Sequence, residues 1–138
     1  MTVNYLAVLV GAVLSMVVGA IWYGPLFGKK WLEIVGASEV DLETRRQMQK
    51  SAGPLYVVQF FLTLFQVLVL AILVNNANAF SGISVSFLVW AAFIMPTVAG
   101  CAMWTSEPSK QKWARFLIQA GYQLVLFIIF GLLLQLWK

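Results

Sequence analysis

Seven polar side chains lie deep inside apolar stretches of this sequence, and their spacing makes them the candidates for chemistry. Gln59, Thr63 and Gln66 recur at i, i+4 and i+7, so in a helix they share one face. Gln119, Tyr122 and Gln123 do the same further along, and Thr97 follows Pro96 at a comparable depth. Pro96 has no backbone donor, so a helix passing through it should kink and free a carbonyl about one turn earlier. Amides, hydroxyls and a phenol can bind an uncharged solute, or they can bond one another across helices at about 0.6 to 2 kcal/mol per contact. Both uses place the same residues on inward faces, and the sequence leaves the two open.

The excluded chemistry is equally well defined. The chain has no histidine, and its five carboxylates, Glu33, Glu39, Asp41, Glu43 and Glu107, all fall in connections between apolar runs. Metal catalysis lacks its common ligands, a Ser or Cys nucleophile lacks an imidazole base, and no paired acids occupy the apolar interior. The expectation is a non-enzyme with no catalytic residue, no metal and no cofactor, haem included. Proton-coupled export of the kind that needs a carboxylate inside the bilayer is disfavoured on the same ground. Cys101 is the single cysteine, so no intramolecular disulfide can form, and its position in an apolar run suits a small packing residue.

The elements that must position these residues are four apolar runs, at about 3–23, 54–74, 83–104 and 113–137. No charge occurs anywhere between Ser51 and Ser106. Hydrophobic residues make up 62% of the 138 residues and charged ones 10%, against about 25% charged in soluble domains. A charge at the centre of a membrane helix costs about 2.5 to 3.5 kcal/mol, which explains the segregation. Each run is long enough to cross about 30 Å of hydrocarbon as a helix, and only helices or closed barrels satisfy the backbone there. The runs are apolar on every side, so strands of alternating polarity do not fit. The predicted fold is an all-α membrane protein, a single domain over residues 1–138 with four transmembrane helices in an up-down bundle. The first run has no basic segment ahead of it and no Ala-x-Ala site after it, so it reads as an uncleaved signal anchor.

Basic residues set the expected orientation. Lys29, Lys30, Arg45, Arg46 and Lys50 lie between the first two runs, Lys110, Lys112 and Arg115 lie at the third connection, and only Lys138 lies opposite. By the positive-inside rule the basic connections face the cytoplasm and both termini face outward. Membrane lipid then accounts for the net charge of +4, and nucleic acid is not an expected partner. Trp22, Trp31, Trp104 and Trp113 mark the inner boundary and Trp137 the outer one, as interfacial anchors. Between the first two runs, Phe27, Trp31, Leu32, Ile34 and Val35 interleave with Lys29, Lys30 and Glu33, the pattern of an amphipathic cytoplasmic helix along the inner leaflet. Ser38 is the expected cap of a second short helix, with Asp41 as its capping-box acid and Asp41 and Arg45 spaced as an i,i+4 pair.

Ala7, Gly11, Ser15 and Gly19 place small residues at every fourth position of the first run. Such a stripe lets helices approach closely, either within one chain or between copies in a homo-oligomer.

The string WYGPLFGKKW, from Trp22 to Trp31, combines an aromatic exit, a turn and a basic restart. With Asn4, residues 36–42, and Gly121, Tyr122, Gly131 and Trp137, it resembles the largely bacterial membrane family of domain of unknown function 1761. The resemblance implies a four-helix protein of unassigned activity, placed in the bacterial cytoplasmic (inner) membrane. The functional expectation is a non-enzymatic membrane binding or assembly component. The alternative is a transporter or channel for a small neutral or weakly polar solute, working as an oligomer.

Overall fold

Asn4 starts the first helix, its side-chain oxygen accepting from the Ala7 N–H at 3.1 Å. The computed structural model describes residues 2–36 and 41–137, and among these every regular element is helical. Helix α1 (Tyr5–Ile21) runs into a π-helical turn (Trp22–Leu26), then short α2 (Gly28–Ile34). Helix α3 (Leu42–Ser51) leads into α4 (Gly53–Asn76). Helix α5 (Gly82–Val89), a second π-helical turn (Trp90–Ile94) and α6 (Met95–Met103) form one continuous rod, and α7 (Ser109–Leu136) ends the chain. Four of these stretches, Tyr5–Leu26, Gly53–Asn76, Gly82–Met103 and Ser109–Leu136, are long and apolar enough to cross a membrane. The last begins before its apolar run because the Pro108 carbonyl accepts from both Gln111 and Lys112 and nucleates the helix at the boundary.

Both π-helical turns sit beside a proline, whose missing N–H breaks the regular ladder. Around Pro25 the Phe27 N–H reaches the Trp22 carbonyl at 2.9 Å, one residue further back than an α-helix allows. Before Pro96 the Met95 N–H makes the same longer reach to Trp90. The kink expected at Pro96 is thus a widened turn. The Thr97 hydroxyl donates to the Phe93 carbonyl at 2.6 Å and supplies a donor there.

Helix α7 packs against all the other spans. Its tightest neighbour is α5. A methyl group on Gly131 would lie 2.6 Å from Ser86 Oγ and 2.7 Å from the Gly82 carbonyl oxygen, so the two backbones touch directly. The core, including Ala7, Val67, Leu70, Val74, Val85, Phe127 and Phe130, fills the same end of the bundle. Side-chain to backbone bonds close that end. Asn4 Nδ2 donates to Trp137 O at 3.2 Å, Asn75 Nδ2 to Thr2 O at 2.9 Å, and Ile83 N to Gln135 Oε1 at 3.4 Å. We call this the closed end and the opposite one, which carries α2, α3 and the charged residues, the basic end.

The small-residue stripe is used within the chain. Ala7, Gly11 and Ser15 are buried, and Gly11 lies against Val67, Phe130 and Leu133. Three of the four stripe residues are thus taken up by contacts within the chain. Helix α2 packs on α7 and buries Ile34, then stops at Gly36, whose φ of 75° is the left-handed conformation glycine tolerates. Ser38, Glu39 and Lys138 lie outside the described residues. Asp41 is itself the cap of α3 rather than a capping-box acid, accepting from Thr44 N at 3.0 Å.

Two outcomes follow from these contacts. Gly131→Ala should lower the melting temperature in mild detergent, by an overpacking cost of about 1 to 3 kcal/mol. Gly100→Ala, where a methyl meets nothing within 4 Å, should not; equal melting of the two variants would contradict the backbone contact. Hydrogen bonding by Thr44, first through its side chain and then its N–H, holds the Asp41 carboxyl below the usual range. The cap's contribution is then complete above the unfolded aspartate value of about 3.9 and is lost as pH falls through the lowered folded value. Hydrogen exchange across the first turn of α3 should speed up only in acid, and Asp41→Ala should remove that dependence.

Candidate functional site

At the basic end the helices part. From Gly53 to Leu62 no α4 side chain is fully buried, the first being Thr63, and α6 buries only Ala102. Helix α4 packs on α1 and meets α5, but among the described residues it forms no comparable seam with α6. The third span is held at Gly82 against Gly131 and then redirected by its π-helical turn and Pro96. That divergence leaves a vestibule of about 950 Å³ among all four spans.

Five of the seven candidate polar residues line it: Gln59, Thr97, Gln119, Tyr122 and Gln123. Thr63 lies just beyond, 3% exposed, and accepts from Gln59 Nε2 at 3.1 Å. Gln66 is not part of the vestibule. It lines a separate groove of about 190 Å³ with Phe65, Val69, Leu73, Val89 and Ile94. Its spacing from Gln59 is right for one face, but seven residues carry it about 10 Å along the axis, past the Thr63 floor.

One wall is aromatic. Tyr122 donates its hydroxyl to the Ser15 carbonyl at 3.0 Å, where Gly19 makes room for it. The Tyr23 ring stacks edge-on to Tyr122 at 5.3 Å and to Trp31 at 5.0 Å. The Arg115 guanidinium lies 5.7 Å from the Trp31 ring centre and makes a two-pronged ion pair with Glu107, so its charge is already matched. Among the described residues no charged side chain lines the vestibule.

Trp22 and Trp31 are not simple interfacial anchors. Trp31 forms part of the vestibule wall, and Trp22 Nε1 donates to Ile118 O at 3.0 Å. Trp90 Nε1 makes the matching bond to Ala120 O at 3.0 Å. A buried indole N–H needs an acceptor, and the two first residues of the π-helical turns find theirs one turn apart or less on α7. Trp104, at 89% exposure, and the exposed Trp113 and Trp137 face outward. Tyr23, Tyr56, Trp90 and Cys101 belong to the site or its frame without having been singled out for it; for Tyr23 and Tyr56, each two residues from a proline, that spacing was the available signal.

The side-chain amides of Gln119 and Gln123 have no hydrogen-bond partner among the described residues, and Gln123 Oε1 is fully covered. Leaving such a group unpaired costs about 1 to 3 kcal/mol. The arrangement is suited to accepting and donating hydrogen bonds to a neutral guest against an aromatic wall.

Fold and site together define a small, multi-pass, all-helical membrane protein with a polar vestibule at one end. A family model described as a protein of unknown function (DUF1761) matches residues 6–135, so the chain belongs to that family. No curated protein and no solved structure matches it.

The close fit of Tyr122 over Gly19 gives a testable coupling. Tyr122→Phe should cost about 0.6 to 1.7 kcal/mol for the lost bond to Ser15. Gly19→Ala, whose methyl would lie 2.9 Å from the Tyr122 hydroxyl, should destabilise the native chain but not the Tyr122→Phe variant. Additive losses in this double-mutant cycle would show that the two residues do not share the site as described.

Proposed function

We propose that this protein is a non-enzymatic binding component of the bacterial inner membrane, taking a small uncharged solute into the vestibule from the cytoplasmic side. The observation that carries this reading is the pair of unpartnered amides, Gln119 and Gln123, facing an uncharged cavity beside an aromatic wall. The excess of Lys and Arg at the open end supports a cytoplasmic mouth and an up-down arrangement with both termini outside. The amphipathic α2 then stands at that mouth.

A continuous channel is the less favoured alternative, because the closed end combines direct backbone contact with three side-chain seals. Release on the far side would require those to separate. No feature of the reading requires more than one copy.

Native mass spectrometry of the full chain in mild detergent should show a defined non-phospholipid adduct. Gln119→Leu and Gln123→Leu should each reduce its occupancy at least tenfold, equivalent to about 1.4 kcal/mol. A wild-type spectrum carrying phospholipid alone would count against the proposal. Orientation is read separately from Cys101, which is exposed and lines the vestibule. An impermeant maleimide should label it in inside-out vesicles and spare it in intact spheroplasts; the opposite pattern would reverse the topology.

A further inference from the structure

The vestibule and the groove lie one behind the other along the seam between the second and third spans. On three helices at once, residues of the polar vestibule are followed toward the closed end by residues of the apolar groove. Gln59 is followed by Gln66 on α4, Gln123 by Phe127 on α7, and Thr97 is preceded by Ile94 on the third span. One or two helical turns separate each pair, about 5 to 10 Å. Polar and apolar compartments therefore adjoin along one line, with the polar one nearest the basic end.

That sequence matches the layout of a leaflet, in which head groups lie at the interface and chains point to the midplane. The groove lies within membrane-spanning helices, so hydrocarbon is the material available to fill it. Apart from Gln66 the groove is lined by apolar side chains, Phe65, Val69, Leu73, Val89 and Ile94 among them, a surface suited to an alkyl chain. Among the described residues α4 and α6 form no comparable seam on that side of the vestibule.

We infer that the guest is an uncharged, single-chain amphiphile that enters sideways from the inner leaflet. Its hydrogen-bonding head occupies the vestibule at Gln59, Gln119 and Gln123, and its chain lies in the groove at Val69, Leu73 and Ile94. This rests on the vestibule reading above and adds the class of ligand and its route. A phospholipid fits less well, because the vestibule offers no charged side chain to a phosphate and Arg115 is held by Glu107.

The test uses the full chain in phosphatidylcholine nanodiscs with palmitoylglycerol carrying a mid-chain diazirine. Irradiation should place adducts on residues 65–73 and 89–94, and the unirradiated probe should slow maleimide alkylation of Cys101 about tenfold at roughly nine-tenths occupancy. Acetylglycerol, which has the same head and no long chain, should give no such protection at equal concentration. Val69→Trp, which fills the groove, should abolish both effects of the long-chain probe; Leu73→Trp should do the same and serves if the first variant does not fold. Equal protection by acetylglycerol, or adducts spread evenly over the lipid-facing helices, would overturn the amphiphile inference while leaving the vestibule reading standing. If neither compound protects Cys101 and no adduct forms, both fall.

Discussion

The direct backbone contact between α5 and α7 at Gly82 and Gly131 sets the geometry of the molecule. Lipid tails are as apolar as leucine, so helices in a membrane gain little from hiding apolar surface and associate through van der Waals contact and hydrogen bonds. Contact of that kind is greatest where two backbones meet without intervening side chains. Here it seats the third span on α7 at the closed end; α6 stays against α7 beyond the widened turn but forms no comparable seam with α4 among the described residues. The third span and α4, which meet near the closed end, therefore part toward the basic end. The vestibule is the space created by that divergence, and α7, which all the other spans touch, is its back wall.

Polar groups are distributed in accordance with this division. At the closed end, the side chains of Asn4, Asn75 and Gln135 bond backbone groups at the ends of neighbouring helices. Near the middle, Trp22 and Trp90 each give an indole N–H to a carbonyl of α7, tying both widened turns to the same helix. In the vestibule Gln59 bonds Thr63, while the amides of Gln119 and Gln123 lack such partners among the described residues. A helix pair that must exclude lipid satisfies its polar groups internally, whereas a cavity that admits a guest leaves some of them for the guest to satisfy. Among the described residues the unsatisfied hydroxyl at the closed end is Ser86 Oγ, which lies against Gly131 in the close approach of the two backbones.

The four spans were legible in the sequence because charge cannot enter hydrocarbon, and that constraint acts residue by residue. Gln59, Thr97, Gln119, Tyr122 and Gln123 were legible for a related reason, since polar side chains among apolar ones need an explanation in themselves. The fate of Gln66 was not, because periodicity reports the face of a helix and says nothing of where two helices part along their length. Trp22 was read as an interfacial anchor because tryptophan before a basic turn usually is one; only the approach of α7 supplies the Ile118 carbonyl that draws it inward. Gly82 and Ser86 carry the same small-residue spacing as the stripe in α1, yet four positions are too few to stand out against an apolar run that contains other small residues. The exchange of Ser38 for Asp41 as the start of α3 reflects how weakly caps are specified when several capping residues follow one another.

The widened turns have a geometric consequence of their own. A π-helical turn holds one residue more than the α-helix around it, so the faces on its two sides are out of phase by about a hundred degrees. In the third span this lets α5 present Gly82 and Ser86 to α7 while α6 turns Thr97 and Cys101 into the vestibule, a combination that no straight helix of the same sequence could achieve. The extra residue acts as a phase shifter. If it migrated by one position along the rod, every side chain between its old and new sites would swing to a different bearing, while the seat of Gly82 on Gly131 stayed where it is.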